Sequence, residues 1–194
     1  FWEGPVFPQF VEALITRFLV LTDDEVREWE ADPEGFFLVS NLELDIESEV
    51  RRCCAEALLL FLMERNIEAT SRVVLSLASQ AAQNQDPGAL RMSEACFHAI
   101  DATALLFPVG TLDYDTFFST DLYKYLESPS DDLVTRTMQG RVLHLLVTIS
   151  PELSAESYEK ALVAAIRFLQ SPDLVLALYS VKLVHKLCVS DILG

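Results

Sequence analysis

The feature that most constrains this chain is a punctuation that returns every forty or so residues. Over 49–62 the residues Val50, Cys53, Cys54, Ala57, Leu58, Phe61 and Leu62 fall at spacings of three and four, the stripe of a helix, with Ser48 where an N-cap belongs. A second helical stretch over 69–83 carries Val73, Val74, Leu77, Ala78 and Ala81 on its apolar side and ends at the breaker Asp86-Pro87-Gly88. The pair is then repeated. Residues 90–107 and 114–126 are separated by Pro108-Val109-Gly110 and closed by Ser128-Pro129-Ser130. Residues 132–149 and 157–169 are separated by Ser150-Pro151 and closed by Ser171-Pro172-Asp173, and a last helix covers 173–189. First helices beginning near Glu49, Leu90, Asp132 and Asp173 give intervals of 41, 42 and 41 residues. No segment alternates apolar and polar residues as a half-buried strand does.

A period of about forty residues filled by two helices and no strand is the signature of HEAT or armadillo units, as opposed to repeats of about 34 residues, and two helices per repeat favour HEAT. The expected fold is therefore an all-α HEAT-repeat solenoid of antiparallel helical hairpins. It divides into the second helix of a preceding repeat (1–21, with Phe10, Leu14, Phe18 and Leu21 in one stripe), an acidic inter-repeat segment with short helices (22–48), three repeats (49–86, 87–128, 129–171) and the first helix of a further one (172–194). A hairpin of this kind buries its second face only against a neighbour, so apolar surface is expected at both ends. The start without Met suits an internal piece of a larger protein.

Acids number 30 against 14 Lys and Arg, a formal charge of −16. Affinity for phosphate comes from Lys and Arg that release counterions, so this balance argues against direct nucleic-acid binding and towards a basic protein partner. No basic stretch precedes an apolar one in the manner of a secretory leader. The longest unbroken apolar run, 57–63, is far short of the roughly 20 residues a bilayer requires. These features predict a soluble intracellular protein with no membrane insertion. Cys53, Cys54, Cys96 and Cys188 show no metal or redox spacing and read as small buried apolar residues.

The charge is concentrated. Eleven acids (Asp23, Asp24, Glu25, Glu28, Glu30, Asp32, Glu34, Glu43, Asp45, Glu47 and Glu49) stand against the single base Arg27, which places −10 of the −16 in this stretch. Thr22 followed by Glu25 is a capping-box pattern, and Asp23 to Glu25 suit a helix N-terminus. Val26 and Trp29 anchor the short helix that follows, which Asp32-Pro33 stops; Phe36, Phe37 and Leu38 form a second apolar anchor before a mixed stretch to Ser48. With a Debye length of about 8 Å in physiological salt, so dense a cluster acts as one patch at contact range.

The run Leu21-Thr22-Asp23-Asp24-Glu25-Val26-Arg27-Glu28-Trp29-Glu30-Ala31-Asp32-Pro33-Glu34-Gly35-Phe36 resembles the acidic Trp, Asp-Pro, Phe segment midway along large importins of the karyopherin-β family. The likeness continues in order through Glu49-Val50-Arg51, Glu94-Ala95-Cys96, Gly140-Arg141-Val142-Leu143 and Ser150-Pro151-Glu152-Leu153, with the spacing closest to the importin nine branch. His144 stands where relatives often carry Trp, and Leu38, Leu42, Leu44 and Ile46 interrupt the acids that follow the Phe. The resemblance implies a segment of a nuclear import receptor that shuttles between cytoplasm and nucleus and wraps basic cargo, such as histones or ribosomal proteins, in a concave acidic face. It further implies regulation by Ran-GTP, mainly through repeats outside this chain, and contact with nucleoporins. The cargo-binding candidates it transfers are Glu34, Glu43, Asp45 and Glu47 in the acidic segment, with Asp115, Asp121, Glu127, Glu156 and Glu159 on the second helices.

Catalytic signatures do not occur: the six glycines are isolated, and GxGxxG, GxxxxGK, GxSxG and HExxH are missing. The expectation is no enzyme, no cofactor and no metal site. Glu94, His98 and Asp101 share a helix face at i, i+4 and i+7, where a hydrogen-bonded interior histidine is the expected outcome in place of a metal ligand. Trp29 is expected to pin its short helix. The competing reading is a HEAT scaffold of a phosphatase or chromosome-associated assembly, whose acids only solvate it.

Overall fold

The computed structural model describes residues 4, 6–41, 51–83, 87–129 and 132–193, apart from the side chains of 87 and 190–193. The α-helices in chain order are α1 (Val6–Leu14), α2 (Asp23–Ala31), α3 (Pro33–Ser40), α4 (Arg51–Arg65), α5 (Ile67–Gln83), α6 (Pro87–Thr103), α7 (Tyr114–Phe117), α8 (Tyr123–Glu127), α9 (Leu133–Ile149), α10 (Ala155–Phe168) and α11 (Leu174–Leu193). No strand occurs among the described residues, and the fold is an all-α helical repeat. Contacts group the chain into two units that cut across chain order: 1–21 with 42–111, and 22–41 with 112–194.

In the first unit α1 runs on through a π turn, Ile15–Leu19, and buries Phe7, Val11, Ile15 and Leu19. A sustained spacing of four drifts off one face of a 3.6-residue helix, and the wider i→i+5 turn restores it to the core. This changes the expected stripe. Leu14 and Leu21 are buried, but Phe10 and Phe18 remain 39% and 47% exposed. The face of α4 is also rotated from expectation: Arg52, Ala55, Leu59, Leu62 and Met63 point inward while Cys54, Ala57, Leu58 and Phe61 are exposed. Apolar residues occupy so much of this helix's circumference that spacing alone does not choose a face, and burial of Arg52 with its partners does. Cys96 is buried, Cys53 half-buried, and Cys54 and Cys188 exposed, so the expected burial of all four cysteines fails for two.

A single residue, Asn66, joins α4 to α5; its N–H continues α4 by bonding the Leu62 carbonyl at 2.9 Å, and its side-chain oxygen accepts the Ala69 N–H at 3.3 Å. Val74, Ala78 and Ala81 of α5 are buried as read from the sequence, with Val73 and Leu77 at the margin. All residues from 93 to 100 in α6 are buried, because α4, α5 and the π turn after α1 all pack on it. At the end of this unit, the Thr111 N–H closes a turn on the Pro108 carbonyl at 3.0 Å. Gly110 takes φ +79° there, a backbone state that other residues adopt only with strain.

The second unit replaces the expected continuous helix over 114–126 by α7, a π turn at Phe118–Leu122, and α8. The widened turn lets the adjacent rings of Phe117 and Phe118 both be buried, in line with Leu122 and Leu126. Helix α9 is central: α2, α8 and α11 contact it, and residues 137–143 are all buried. Gln139, fully buried, spends its side-chain amide on the carbonyls of Tyr125 (3.2 Å) and Ser128 (2.9 Å), so a polar residue in the core leaves those helix-end carbonyls satisfied.

Candidate functional site

The acidic segment folds as a pair of short helices. Thr22 and Glu25 form the expected capping box: the Glu25 N–H reaches the Thr22 hydroxyl at 3.2 Å and the Thr22 N–H reaches the Glu25 carboxylate at 2.7 Å. Asp32 ends α2 through its N–H on the Glu28 carbonyl (2.9 Å) and begins α3 by accepting the Gly35 N–H (3.0 Å). Pro33 then occupies the first helical position, where its missing N–H costs nothing. Asp32-Pro33 thus acts as a joint between two helices, and the second of these, α3, was legible in the sequence only as an apolar anchor.

Both helices dock on α9 and α11. The Trp29 side chain is buried, lies edge-tilted on Phe36 with centroids 5.0 Å apart, and donates its indole N–H to Asp173 at 2.8 Å. Asp173 also receives Arg136 at 2.9 Å, and the other terminal nitrogen of Arg136 reaches Glu30 at 2.5 Å. Phe37 meets Tyr179 edge-on at 5.0 Å, and Lys182 donates to Asn41 at 2.5 Å. Trp29 rests against Gly140, whose missing side chain leaves the room: a Cβ there would lie 2.5 Å from the ring. Trp29 therefore pins its helix, as expected. Sequence spacing offered no sign of Asp173 as the partner of Trp29 or of Arg136 as that of Glu30, since neither pair, more than a hundred positions apart, shares a local pattern.

With the apolar side turned inward, the acids face out. Asp23, Asp24, Glu28, Glu30, Asp32 and Glu34 are exposed. Asp24 pairs with Arg27 and Glu30 with Arg136; Asp32, Glu28 and Glu34 reach solvent without an ion pair among the described residues, Asp32 being engaged as a helix cap. Glu43, Asp45 and Glu47 lie outside the described residues, as do Ser48 and Glu49.

The candidates on the second helices divide by role. Asp115 accepts the Ser154 N–H at 3.0 Å and the Ser154 hydroxyl at 2.9 Å; hydrogen bonds from Ser157 and Ser154 hold its carboxyl below the usual range. It links α7 to the start of α10. Glu156 pairs with Lys160 at 2.8 Å, which lowers its pKa, while nearby Asp115 pushes the other way. Glu127 meets Arg167 at 3.2 Å. Asp121 accepts the Thr120 hydroxyl at 2.7 Å, and Glu159 is exposed. The surface across α7, α8 and α10 is thus a mixture in which Lys124, Lys160 and Arg167 interrupt the acids.

The first unit holds a buried ionic cluster. One terminal nitrogen of Arg52 lies 2.9 and 3.0 Å from the two Glu94 oxygens and 2.7 Å from His98 Nδ1; His98 Nε2 lies 2.8 Å from Glu56. Arg52 has only protons to give, so Nδ1 accepts and Nε2 carries the proton to Glu56, which fixes a neutral histidine in one tautomer. His98 is the interior hydrogen-bonded histidine the sequence suggested. Next to it, burial pushes the Cys96 thiol up to about 12, with Glu94 adding to the effect. Among the described residues no group of three His, Cys, Asp or Glu is arranged to hold a metal ion. Arg51 donates to the carbonyls of Arg17 (2.9 Å) and Val20 (2.7 Å), satisfying the end of the helix that α1 begins. Several of the sequence motifs thus acquire structural tasks: Arg51 closes a helix, Glu94 neutralises Arg52, and Gly140 receives Trp29.

The chain is similar in sequence to transport receptors of the karyopherin-β class. The particular relatives are Importin-11 of Mus musculus and Importin-11 of Homo sapiens, each 27% identical over 184 residues. The match covers 90% of this chain, and the chain spans 18% of the length of each relative. No family model matches the chain, and no solved structure matches it.

Proposed function

We propose that this chain is a segment of a nuclear import receptor that holds basic protein cargo, of the kind of histones or ribosomal proteins, against its acidic residues. The observation that carries the reading is the likeness to Importin-11 along 90% of the chain, on an all-α repeat of net charge −16. The cargo-facing residues are Glu34, Glu43, Asp45 and Glu47 with Asp121 and Glu159; Asp115, Glu127 and Glu156 contribute their field while tied to neighbours. A patch of this kind speeds encounter and makes binding salt-sensitive more than it sets specificity. Release by Ran-GTP, contact with nucleoporins and shuttling between cytoplasm and nucleus belong to the same reading. The placement nearest the importin nine branch rests on motif order alone, and the named relatives do not carry it.

Titrating the full chain with core histones across a salt series tests this. Replacing Glu34, Glu43, Asp45 and Glu47 by Gln or Asn is expected to weaken binding on the order of tenfold in low salt and to flatten the salt slope. Unchanged affinity at every salt concentration would remove the segment from the binding surface. Binding by the full-length receptor that ignores Ran-GTP would favour the scaffold.

A further inference from the structure

The chain contains three Ser-Pro pairs, and the structure treats them differently. Ser150 is buried with helical backbone (φ −54°, ψ −32°), and its hydroxyl bonds the Val147 carbonyl. Ser128 and Ser171 instead line a groove of about 470 Å³ in the second unit, where the loop after α8 meets the loop after α10. Both are half-exposed and both are followed by an exposed proline. Two arginines, Arg136 and Arg167, line the same groove. Their acidic partners, Glu127 and Asp173, line it as well.

We propose that Ser171 is a phosphoacceptor for a proline-directed serine kinase, and that Arg167 receives the phosphoryl group. Proline biases the residue before it away from helical backbone, towards the extended form that a kinase cleft accepts. Ser171 lies outside regular structure, and its oxygen accepts the Asp173 N–H at 3.1 Å. Its hydroxyl proton is given to no carbonyl among the described residues, whereas Ser128 donates to the Lys124 carbonyl at 2.8 Å. The transfer moves the γ-phosphoryl of Mg-ATP to Ser171 Oγ: the new Oγ–P bond replaces the bond to the β-phosphate oxygen, ADP leaves, and the hydroxyl proton passes to the kinase base.

Position and energetics then favour Arg167. Successive turn bonds, Gln170 N–H to the Arg167 carbonyl (3.2 Å) and Ser171 N–H to the Phe168 carbonyl (3.0 Å), continue the winding past α10 and keep Ser171 a turn above Arg167. The present acidic partner of Arg167, Glu127, is held at 3.2 Å with both side chains 52% exposed, a pair of the weakly stabilising surface kind. A phosphoserine brings about two negative charges and three acceptor oxygens, so it displaces Glu127. Arg136 is held by Asp173, whose side chain is 6% exposed, and stays where it is.

The test is to treat the folded full chain with a purified proline-directed kinase and Mg-ATP and to locate phosphate by mass spectrometry. Phosphate on Ser171 and none on Ser150, with incorporation at that position lost in Ser171→Ala, is expected; Ser150 becomes a substrate only after denaturation. Phosphorus NMR of the product then reads the second ionisation of the phosphate. Arg167→Met is expected to raise that pKa by about half a unit relative to the wild-type chain, and Arg167→Lys to restore most of the difference. Absence of phosphate on Ser171, equal labelling of Ser150 in the folded chain, labelling of Ser128 alone, or a pKa indifferent to Arg167→Met would each overturn the proposal.

Discussion

Gly140 illustrates how a single position decides a docking. Alanine is the better helix former by up to about 1 kcal/mol, so propensity alone would favour Gly140→Ala on α9. The Cβ it adds would stand 2.5 Å from one atom of the Trp29 ring and 3.3 Å from Tyr179, and overpacking of that order costs about 1–3 kcal/mol. Packing wins, and the variant is expected to unfold at lower urea with Trp29 fluorescence shifted towards the exposed value. An equal or higher urea midpoint would show that the ring moves aside without cost. The sequence made half of this visible. Trp29, hemmed by acids, could only anchor its helix inward, but its receptor was hidden because a glycine in a helix carries no sign of what approaches it. Arg52 was hidden for the opposite reason: a charge next to apolar neighbours reads as surface, and only Glu94 and His98, more than forty residues on, make its burial tolerable.

At the level of elements, boundaries followed residues whose backbone chemistry leaves little choice. Thr22 with Glu25, Asp32 with Pro33, and the Ser-Pro connections all fell at helix ends, because each supplies or removes a hydrogen bond that a helix terminus requires. Asp32→Ala removes the side chain that accepts the Gly35 N–H, and a loss of about 1 kcal/mol is expected in denaturant titration, with Asp32→Asn nearly neutral. A full loss in the Asn variant would mean that the charge, rather than the cap, matters. Which face a helix buries was less legible. Two π turns, after α1 and between α7 and α8, shift the register by a residue, and nothing in a three-and-four spacing separates a helix that winds evenly from one that widens to bury adjacent large residues.

Across the whole molecule, three hydrogen-bonded aspartates in the second unit, with Glu156 beside Lys160 as a fourth carboxylate, make stability depend on pH. Hydrogen bonds from Thr116 to Asp113, from Ser157 and Ser154 to Asp115, and from Thr135 to Asp132 lower the pKa of each. A folded-state pKa below the unfolded one contributes stability that is complete above the ordinary carboxylate value of about 4 and is lost as pH falls through the folded value. The melting temperature is therefore expected to hold from pH 7 to about 5 and to drop below 4, and Asp132→Asn should reduce the size of that drop; an unaltered acid limb would remove this residue as a cause. The docking of α2 and α3 also acts on time. Trp29 waits for Asp173, 144 residues later, whereas a helical repeat is ordinarily assembled from neighbours. At roughly 5–20 residues per second on a ribosome, the delay is about 7–30 s. In a Trp2→Phe background, a chain ended at residue 170 should leave the Trp29 indole open to acrylamide quenching that the full chain prevents, and equal protection in both would refute the delay. During that interval Trp29 lacks its Asp173 partner and Phe37 the Tyr179 ring, so an acidic stretch of the protein stays incompletely covered while the rest of its unit is still being made.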